Sequence, residues 1–293
     1  MVGMQAERTW SVAVMSRVIV DNDWSGDPDG LVALAHHLLS PTNEVLAVTS
    51  SFLNPMFASP RSSAADGAAM ALELLGVIAD DGPQPPVLAG SDVPFSGELV
   101  VSPAADEIVA VVRGSEAPVV VVCGGPLTNV ADALLRAPDI APRIRLLWIG
   151  GAVAPDEFEY NRDTDPRAAE FVLAHGDLDV VQFPLETYRS VAMSLAELEH
   201  ELGTSGRVGA WLWQRFVELP LPPSVEVGGV WAMGDSPPVL LTALGESTCT
   251  LEPADPTASG ARVSVCTAVD VRLLLADLMA KLRQHERTVS DAP

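Results

Sequence analysis

Only three of the 293 residues are cysteines, Cys123, Cys249 and Cys266. None of their spacings is a CxxC pair or another zinc-type pattern, and an odd count makes a poor disulfide framework. A disulfide-stapled secreted scaffold and a structural zinc site are therefore both excluded, and a reducing compartment fits. Basic residues are scarce too: Lys+Arg number 17 against 39 Asp+Glu, a formal net charge of −22. A surface of that sign repels a phosphate backbone and an anionic membrane face, so neither a nucleic acid polymer nor a membrane is expected as a partner. The plain use of the charge is solubility.

Also missing is any apolar run long enough to span a bilayer. The stretch MVGMQAERTWSVAVMSRVIV has Glu7 and Arg8 where a signal peptide needs its apolar core, so a cytoplasmic protein is expected. Residues 1–14 read as a disordered N-terminal tail, with Met1 or Met15 left open as the start. Residues 15–293 read as a single domain, since no low-complexity linker, repeat or change of composition divides them.

What is present is a chain with 48% hydrophobic residues, enough to bury a core. Short β-branched runs alternate with helical stretches. RVIVD, EVLAVTS, PVVVVCGG, IRLLWIGG, LDVVQFP and ARVSVCTAVD read as strands. GLVALAHHLLS, SSAADGAAMALELLG, DEIVAVVRG, TNVADALLR and DPRAAEFVLAHG read as helices, with Pro166 near the first turn of the last. Further helices are expected across residues 194–220, at PPVLLTALG and at DVRLLLADLMAKLRQ. This order predicts an α/β fold with a mainly parallel open sheet and helices on both faces, a Rossmann-like core. The unbroken valines 119–122 belong in the middle of that sheet.

In such a sheet, ligands bind beyond the carboxyl ends of the strands. Four polar clusters fall there: the stretch VDNDWSGDPDGL, Asn54, the turn GGPLTN and the segment EYNRDTDP. The first holds Asp21, Asp23, Asp27 and Asp29. So many carboxylates away from water repel one another unless protons or a cation compensate them. A hard divalent ion such as Ca²⁺, which takes several oxygen ligands, answers that need. The bland alternative, Asp29 capping a helix and Asp27-Pro28 shaping a turn, accounts for one or two of the four, not all.

Five stretches in order resemble the inosine-uridine preferring nucleoside hydrolase family: VDNDWSGDPDGLVAL, AVTSSFLN, GGPLTNVADALL, IGGAV followed by EYNRDTDPRAAEFV, and GDSPPVLLTAL. They run from about Val18 to Leu244. The resemblance implies an enzyme that cleaves the N-glycosidic bond of a ribonucleoside with water, using a bound Ca²⁺ that also grips the ribose, in purine or pyrimidine nucleoside salvage. It implies Asp23 as a metal ligand and the base that takes a proton from water, the Gly124 carbonyl and Asp235 as further ligands, Asn54 beside the sugar, and Glu159 with Asn161 on the ribose hydroxyls. A homodimer or homotetramer is implied as well.

Two positions depart from the family pattern. The usual loop ends in two adjacent aspartates, and here Asp29 aligns with the first and Gly30 with the second, in a longer loop. Asp27 is the candidate replacement metal ligand, the division of roles between Asp27 and Asp29 staying open. In the best-known branch a histidine before the distant aspartate protonates the leaving base, and here that residue is Gly234. The five histidines all fall in or beside helices, away from the strand ends. Trp231 and Trp24 are near enough in sequence to Asp235 and Asp23 to stack on a base; the pocket is favoured for Trp231 and Trp24 is left undecided, while Trp211 and Trp213 read as packing residues. These departures keep two alternatives open: a non-catalytic Ca²⁺ and ribose-binding relative, or a hydrolase of another N-riboside such as nicotinamide riboside.

Overall fold

A computed structural model describes residues 16–57, 62–78, 83–154, 156–220, 227–254 and 260–290; the expected N-terminal tail lies outside them. Strand β1 (Ser16–Asn22) leads into helix α1 (Asp29–Leu38), β2 (Asn43–Ser50), α2 (Ala64–Ile78) and β3 (Val87–Ala89). Then follow α3 (Pro103–Gly114), β4 (Val119–Cys123), α4 (Thr128–Arg136), β5 (Ile144–Ile149), α5 (Tyr160–Thr164), α6 (Pro166–Leu173) and β6 (Asp179–Phe183). The remainder comprises α7 (Leu185–Tyr188), β7 (Ala192–Ser194), α8 (Leu195–Gly203), α9 (Gly206–Glu218), β8 (Val230–Ala232), β9 (Cys249–Pro253), β10 (Arg262–Val269) and α10 (Val271–Ser290).

Eight strands form one sheet in the order β3-β2-β1-β4-β5-β6-β10-β9. All neighbours pair in parallel except β9, which runs antiparallel to β10 at the edge. The valines of β4 sit mid-sheet as their composition requires. Side chains alternate across the sheet, and both faces are apolar: Val18, Val20, Val122, Leu147 and Val181 enter one buried cluster, while Ile19, Val121, Leu146 and Val180 enter the other. Helices α1, α2 and α8–α10 cover the first face, and α3, α4 and α6 the second. This is the predicted mainly parallel sheet with helices on both sides.

Local chemistry sets several helix starts. Ser102 caps α3, its side chain accepting from the Ala105 N–H at 3.2 Å with Pro103 next, and Asp165 caps α6 by accepting from Ala168 at 3.1 Å with Pro166 next. The helix-capping alternative for Asp29 fails. Asp29 is not a cap: Pro28 holds that position, no side chain caps it, and Asp29 is the first helical residue. PPVLLTALG is helical as expected, as a π-helix over Leu240–Leu244 where the Gly245 N–H reaches back to the Leu240 carbonyl. The three-residue β7 and β8 pair antiparallel as a separate ribbon, with Met193 opposite Trp231.

Candidate active site

The strand order reverses beside β1: the chain moves to β2 on one side and to β4 on the other. The ends of β1 and β4 therefore diverge into a crevice, the switch point where open α/β sheets bind ligands. A cavity of about 380 Å³ opens there. Asp23 follows β1, Leu53 follows β2, Gly124 follows β4, Ile149 ends β5 and Tyr188 follows β6, and all line it. Asp27, Asp29, Tyr160, Asn161, Trp231, Gly234 and Asp235 complete the polar and aromatic wall. The tertiary fold thus brings together Asp23, Asp27, Asp29, Gly124, Asn161, Trp231 and Asp235 from the sequence-derived set.

Burial first, then the charges of Asp235 and Asp27, hold the Asp23 carboxyl well above the usual carboxylate range, against a hydrogen bond from the Tyr160 hydroxyl. Asp235 is pushed up to about 8 by burial and by the Asp27 charge, with the Asn22 amide opposing. Asp29 is raised by burial and by the same two neighbours, and its Oδ2 accepts from the Asp235 N–H at 3.0 Å. Asp27 stands at the solvent-exposed rim, its carboxyl hydrogen-bonded to that of Asp29. Two carboxyls in contact must share a proton or a cation.

Asn22 organises the floor. Its Nδ2 donates to Asp235 Oδ2 at 2.8 Å and its Oδ1 accepts from the Asp23 N–H at 2.8 Å. Two glycines make room for it: a Cβ on Gly30 would lie 2.7 Å from Asn22 Nδ2, and one on Gly124 would lie 2.5 Å from it. The missing second aspartate of the loop is thus also the space that Asn22 fills. Asp21 stands behind, fully buried, accepting from Thr49 Oγ1 and Asn129 Nδ2.

Two expected sugar contacts do not line the cavity. Asn54 donates from Nδ2 to Thr164 Oγ1 at 2.8 Å, and its Oδ1 accepts from the Met56 N–H at 2.9 Å. Glu159 is wholly buried as the cap of α5: Oε2 accepts from the Gly151 and Arg162 N–H groups, and Oε1 from the Asn161 N–H and the Tyr188 hydroxyl. In both cases nearer backbone and side-chain donors or acceptors have claimed the group. Trp24 is a core residue, its Nε1 donating to the Thr49 carbonyl at 2.8 Å. Trp231 does line the cavity and meets Phe216 edge-on, 5.4 Å between centroids. Trp213 stacks on Phe216 and Trp211 lies under Arg215, both packing as predicted. No histidine lines the cavity. Cys123 is buried against Asp21 and the Gly125 carbonyl, and burial drives its thiol far up, so it is inert.

The donor set suits a hard cation in its chemistry. Every polar side chain named on this wall offers oxygen, and among the described residues no lysine, arginine or histidine joins them. Asn161 donates from Nδ2 to the Gly124 and Ile149 carbonyls, each at 2.9 Å, leaving its buried Oδ1 without a hydrogen-bond partner. The Gly124 carbonyl keeps a second lone pair. Among the described residues no three His, Cys, Asp or Glu side chains converge on one ion-sized point, so the fit lies in the buried uncompensated charge and the orphaned oxygen. Sequence reasoning missed Asn22, Tyr160 and Tyr188, because their part here depends on neighbours far away in the chain.

Known proteins resemble both the sequence and the fold. An uncharacterised protein of Schizosaccharomyces pombe is 29% identical over 67% of this chain and 71% of its own. The pyrimidine-specific ribonucleoside hydrolase RihA of Salmonella paratyphi B is 32% identical over 62% of this chain and 64% of its own, so the match spans just under two thirds of that relative. An inosine-guanosine nucleoside hydrolase superposes with a TM-score of 0.70 at 19% identity, covering 92% of this chain and 99% of that one. A purine-preferring ribonucleoside hydrolase from Gardnerella vaginalis gives 0.70 at 20%, covering 93% and 100%. At such identities these two establish the fold. The family model for inosine-uridine preferring nucleoside hydrolases matches residues 18–272, most of the chain. This chain belongs to the inosine-uridine preferring nucleoside hydrolase family, and so to the enzymes that act on N-glycosyl compounds.

Proposed function

We propose that the chain hydrolyses the N-glycosidic bond of ribonucleosides, releasing ribose and free base, with Ca²⁺ as its metal. The observation that supports this reading is the meeting of Asp23, Asp27, Asp29 and Asp235 in one cavity at the switch point, with no cationic side chain among the described residues that line it. Asp23, Asp27, Asp29, the Gly124 carbonyl and Asp235 would hold the ion. When bound, Ca²⁺ supplies the positive charge that these carboxylates lack and the Lewis acidity that makes water easier to deprotonate.

The chain's own residues do the rest. Asp23 takes a proton from the attacking water as the water oxygen bonds to the anomeric carbon and the C–N bond breaks, its electron pair leaving with the base. Tyr160 holds that carboxyl in place through its hydroxyl. Positive charge developing on the sugar is stabilised by the surrounding carboxylates. Asp29 and Asn161 orient the ribose, and Trp231 offers its face to the base. Asn54 and Glu159 act from behind, on Thr164 and on the Asn161 backbone.

The test is a reducing-sugar assay with inosine, adenosine, uridine, cytidine and nicotinamide riboside, with Ca²⁺ and after chelation. Ribose release that disappears with the metal is expected. Release from nicotinamide riboside alone would replace ordinary nucleosides with a substrate whose base leaves without a proton, and Ca²⁺ binding without any release would overturn hydrolysis. Light scattering tests the homodimer or homotetramer that we carry over from the family. No described helix is long and apolar enough to cross a membrane.

A further inference from the structure

The chain has only two tyrosines, and both line the cavity. Tyr160 serves Asp23; Tyr188 is the last residue of α7 and sits elsewhere on the wall. A Cβ on Gly234 would lie 3.1 Å from Tyr188 Cδ2 and 3.5 Å from Asp29 Oδ2. The ring therefore fills the room into which a side chain at position 234 would project. The helix that carries it is anchored to the sheet, since Thr187 Oγ1 donates to the Cys266 carbonyl in β10 at 2.6 Å.

The hydroxyl of Tyr188 donates to Glu159 Oε1 at 2.9 Å. With three backbone N–H groups already on it and no exposed surface, Glu159 has its acceptor sites filled and is screened from the cavity. A phenol that has given its one proton to a carboxylate keeps lone pairs that accept. Its one proton is already given to Glu159, so the hydroxyl faces the cavity as an acceptor.

Building on the hydrolase reading above, we propose that Tyr188 is a substrate-contacting specificity residue: its hydroxyl accepts from a ribose hydroxyl in place of the screened Glu159, and its ring over Gly234 limits the room for the base. The two parts of the side chain then have separable effects. The hydroxyl acts on the sugar, which every nucleoside shares. The ring acts on the base, which differs among them.

The experiment compares Tyr188→Phe, Tyr188→Ala, Gly234→His and the Tyr188→Ala/Gly234→His pair, each checked for folding by circular dichroism and melting temperature. Tyr188→Phe is expected to lower kcat/KM by about tenfold and equally for every nucleoside, the size of one lost hydrogen bond. Tyr188→Ala is expected to shift KM by about tenfold or more, unequally, so that the ranking of bases changes. Gly234→His alone is expected to melt lower than the pair, in which the space for the imidazole has been opened. Calorimetric titration of ribose into Asp23→Asn and into Asp23→Asn/Tyr188→Phe supplies a readout independent of turnover, with about tenfold weaker binding expected in the second. Folded variants whose KM ranking and ribose affinity match their parents would overturn the role of Tyr188. Absence of turnover in the unaltered protein would instead overturn the hydrolase reading, and the ribose titration would still decide the contact.

Discussion

Asn22 and Asp235 stand 213 residues apart in sequence, and the Nδ2 of the first donates to Oδ2 of the second at 2.8 Å. The bond ties the end of β1 to the turn after β8, and it lies against Gly30 and Gly124, where a Cβ on either would collide with the amide. A local change in the loop after β1 is thereby coupled to a carboxylate delivered from the far end of the chain.

That coupling predicts a reciprocal exchange. Gly30→Asp should destabilise the protein by about 1–3 kcal/mol, the usual range for overpacking a filled site, because its Cβ would lie 2.7 Å from Asn22 Nδ2. Shortening the neighbour in Asn22→Ser/Gly30→Asp should recover most of the loss. Urea unfolding of the two singles and the double closes the cycle, and simple additivity would rule the exchange out.

Asp23→Ala should abolish turnover, a loss of at least about a hundredfold for a general base, and weaken Ca²⁺ binding in a protein that still folds. Asp27→Ala and Asp29→Ala should each lower Ca²⁺ affinity in calorimetric titration. If Asp27→Ala binds the ion as the parent does, the rim carboxylate is not a ligand, and Asp29 acts there alone.

Chelation should lower the melting temperature, and added Ca²⁺ should restore it. An ion that binds only the folded chain contributes about 2.7 kcal/mol at a hundredfold excess over its Kd. A differential scanning fluorimetry series in Ca²⁺ and Mg²⁺ measures this. Equal shifts from both ions would argue for charge compensation without selectivity.

The two buried histidines of α1 should contribute less stability in acid. Burial first, then the charges of His36 and Lys281, lowers His37 to about 3; His36 is lowered by burial despite its 2.7 Å contact with Asp277, and Asp277 is itself lowered, with the His36 and Lys281 hydrogen bonds outweighing its burial. A histidine whose folded pKa lies below its unfolded value leaves the unfolded state holding more protons between the two, so stability falls as pH drops from about 6.5 toward 3, by at most about 1.4 kcal/mol per pH unit per proton. Asp277 acts with the same sign below its unfolded pKa. The raised carboxyls of Asp23, Asp29 and Asp235 contribute the opposite sign in the same window, so the histidine part is read as a difference. Relative to the parent, His37→Gln should gain stability as pH falls from 7 to 4, and an unchanged difference in denaturant midpoints would place the acid sensitivity elsewhere.

Trp231→Ala should raise KM by about tenfold and also lower the melting temperature, since the ring packs edge-on against Phe216 beside the core. Steady-state kinetics beside a thermal melt separates the two effects.

Much of this architecture was legible in the residues themselves. Runs such as Val119–Val122 are too apolar for anything but a central strand, and the alternation of such runs with helical periods dictates a mainly parallel sheet. A chain that parks Asp23, Asp27 and Asp29 at the end of its first strand has concentrated charge where such sheets bind ligands. What escaped were elements whose stability comes from partners: the three-residue β3, β7 and β8, too short to show a period, and the antiparallel β9, which completes an edge only because β10 is there.

The same division runs through the site. By itself the sequence determined the chemical kind of the cavity, an oxygen-rich and uncompensated acidic pocket, because residue types and strand order do not depend on packing detail. Only the tertiary structure decided which polar groups face the cavity. Glu159 and Asn54 are diverted by closer partners, Asn22 reaches into the space left by Gly30, and Tyr188 takes the room above Gly234. Hydrogen bonds and excluded volume act over a few ångströms, between atoms that sequence separates by tens or hundreds of residues, and the folded chain alone brings those atoms together.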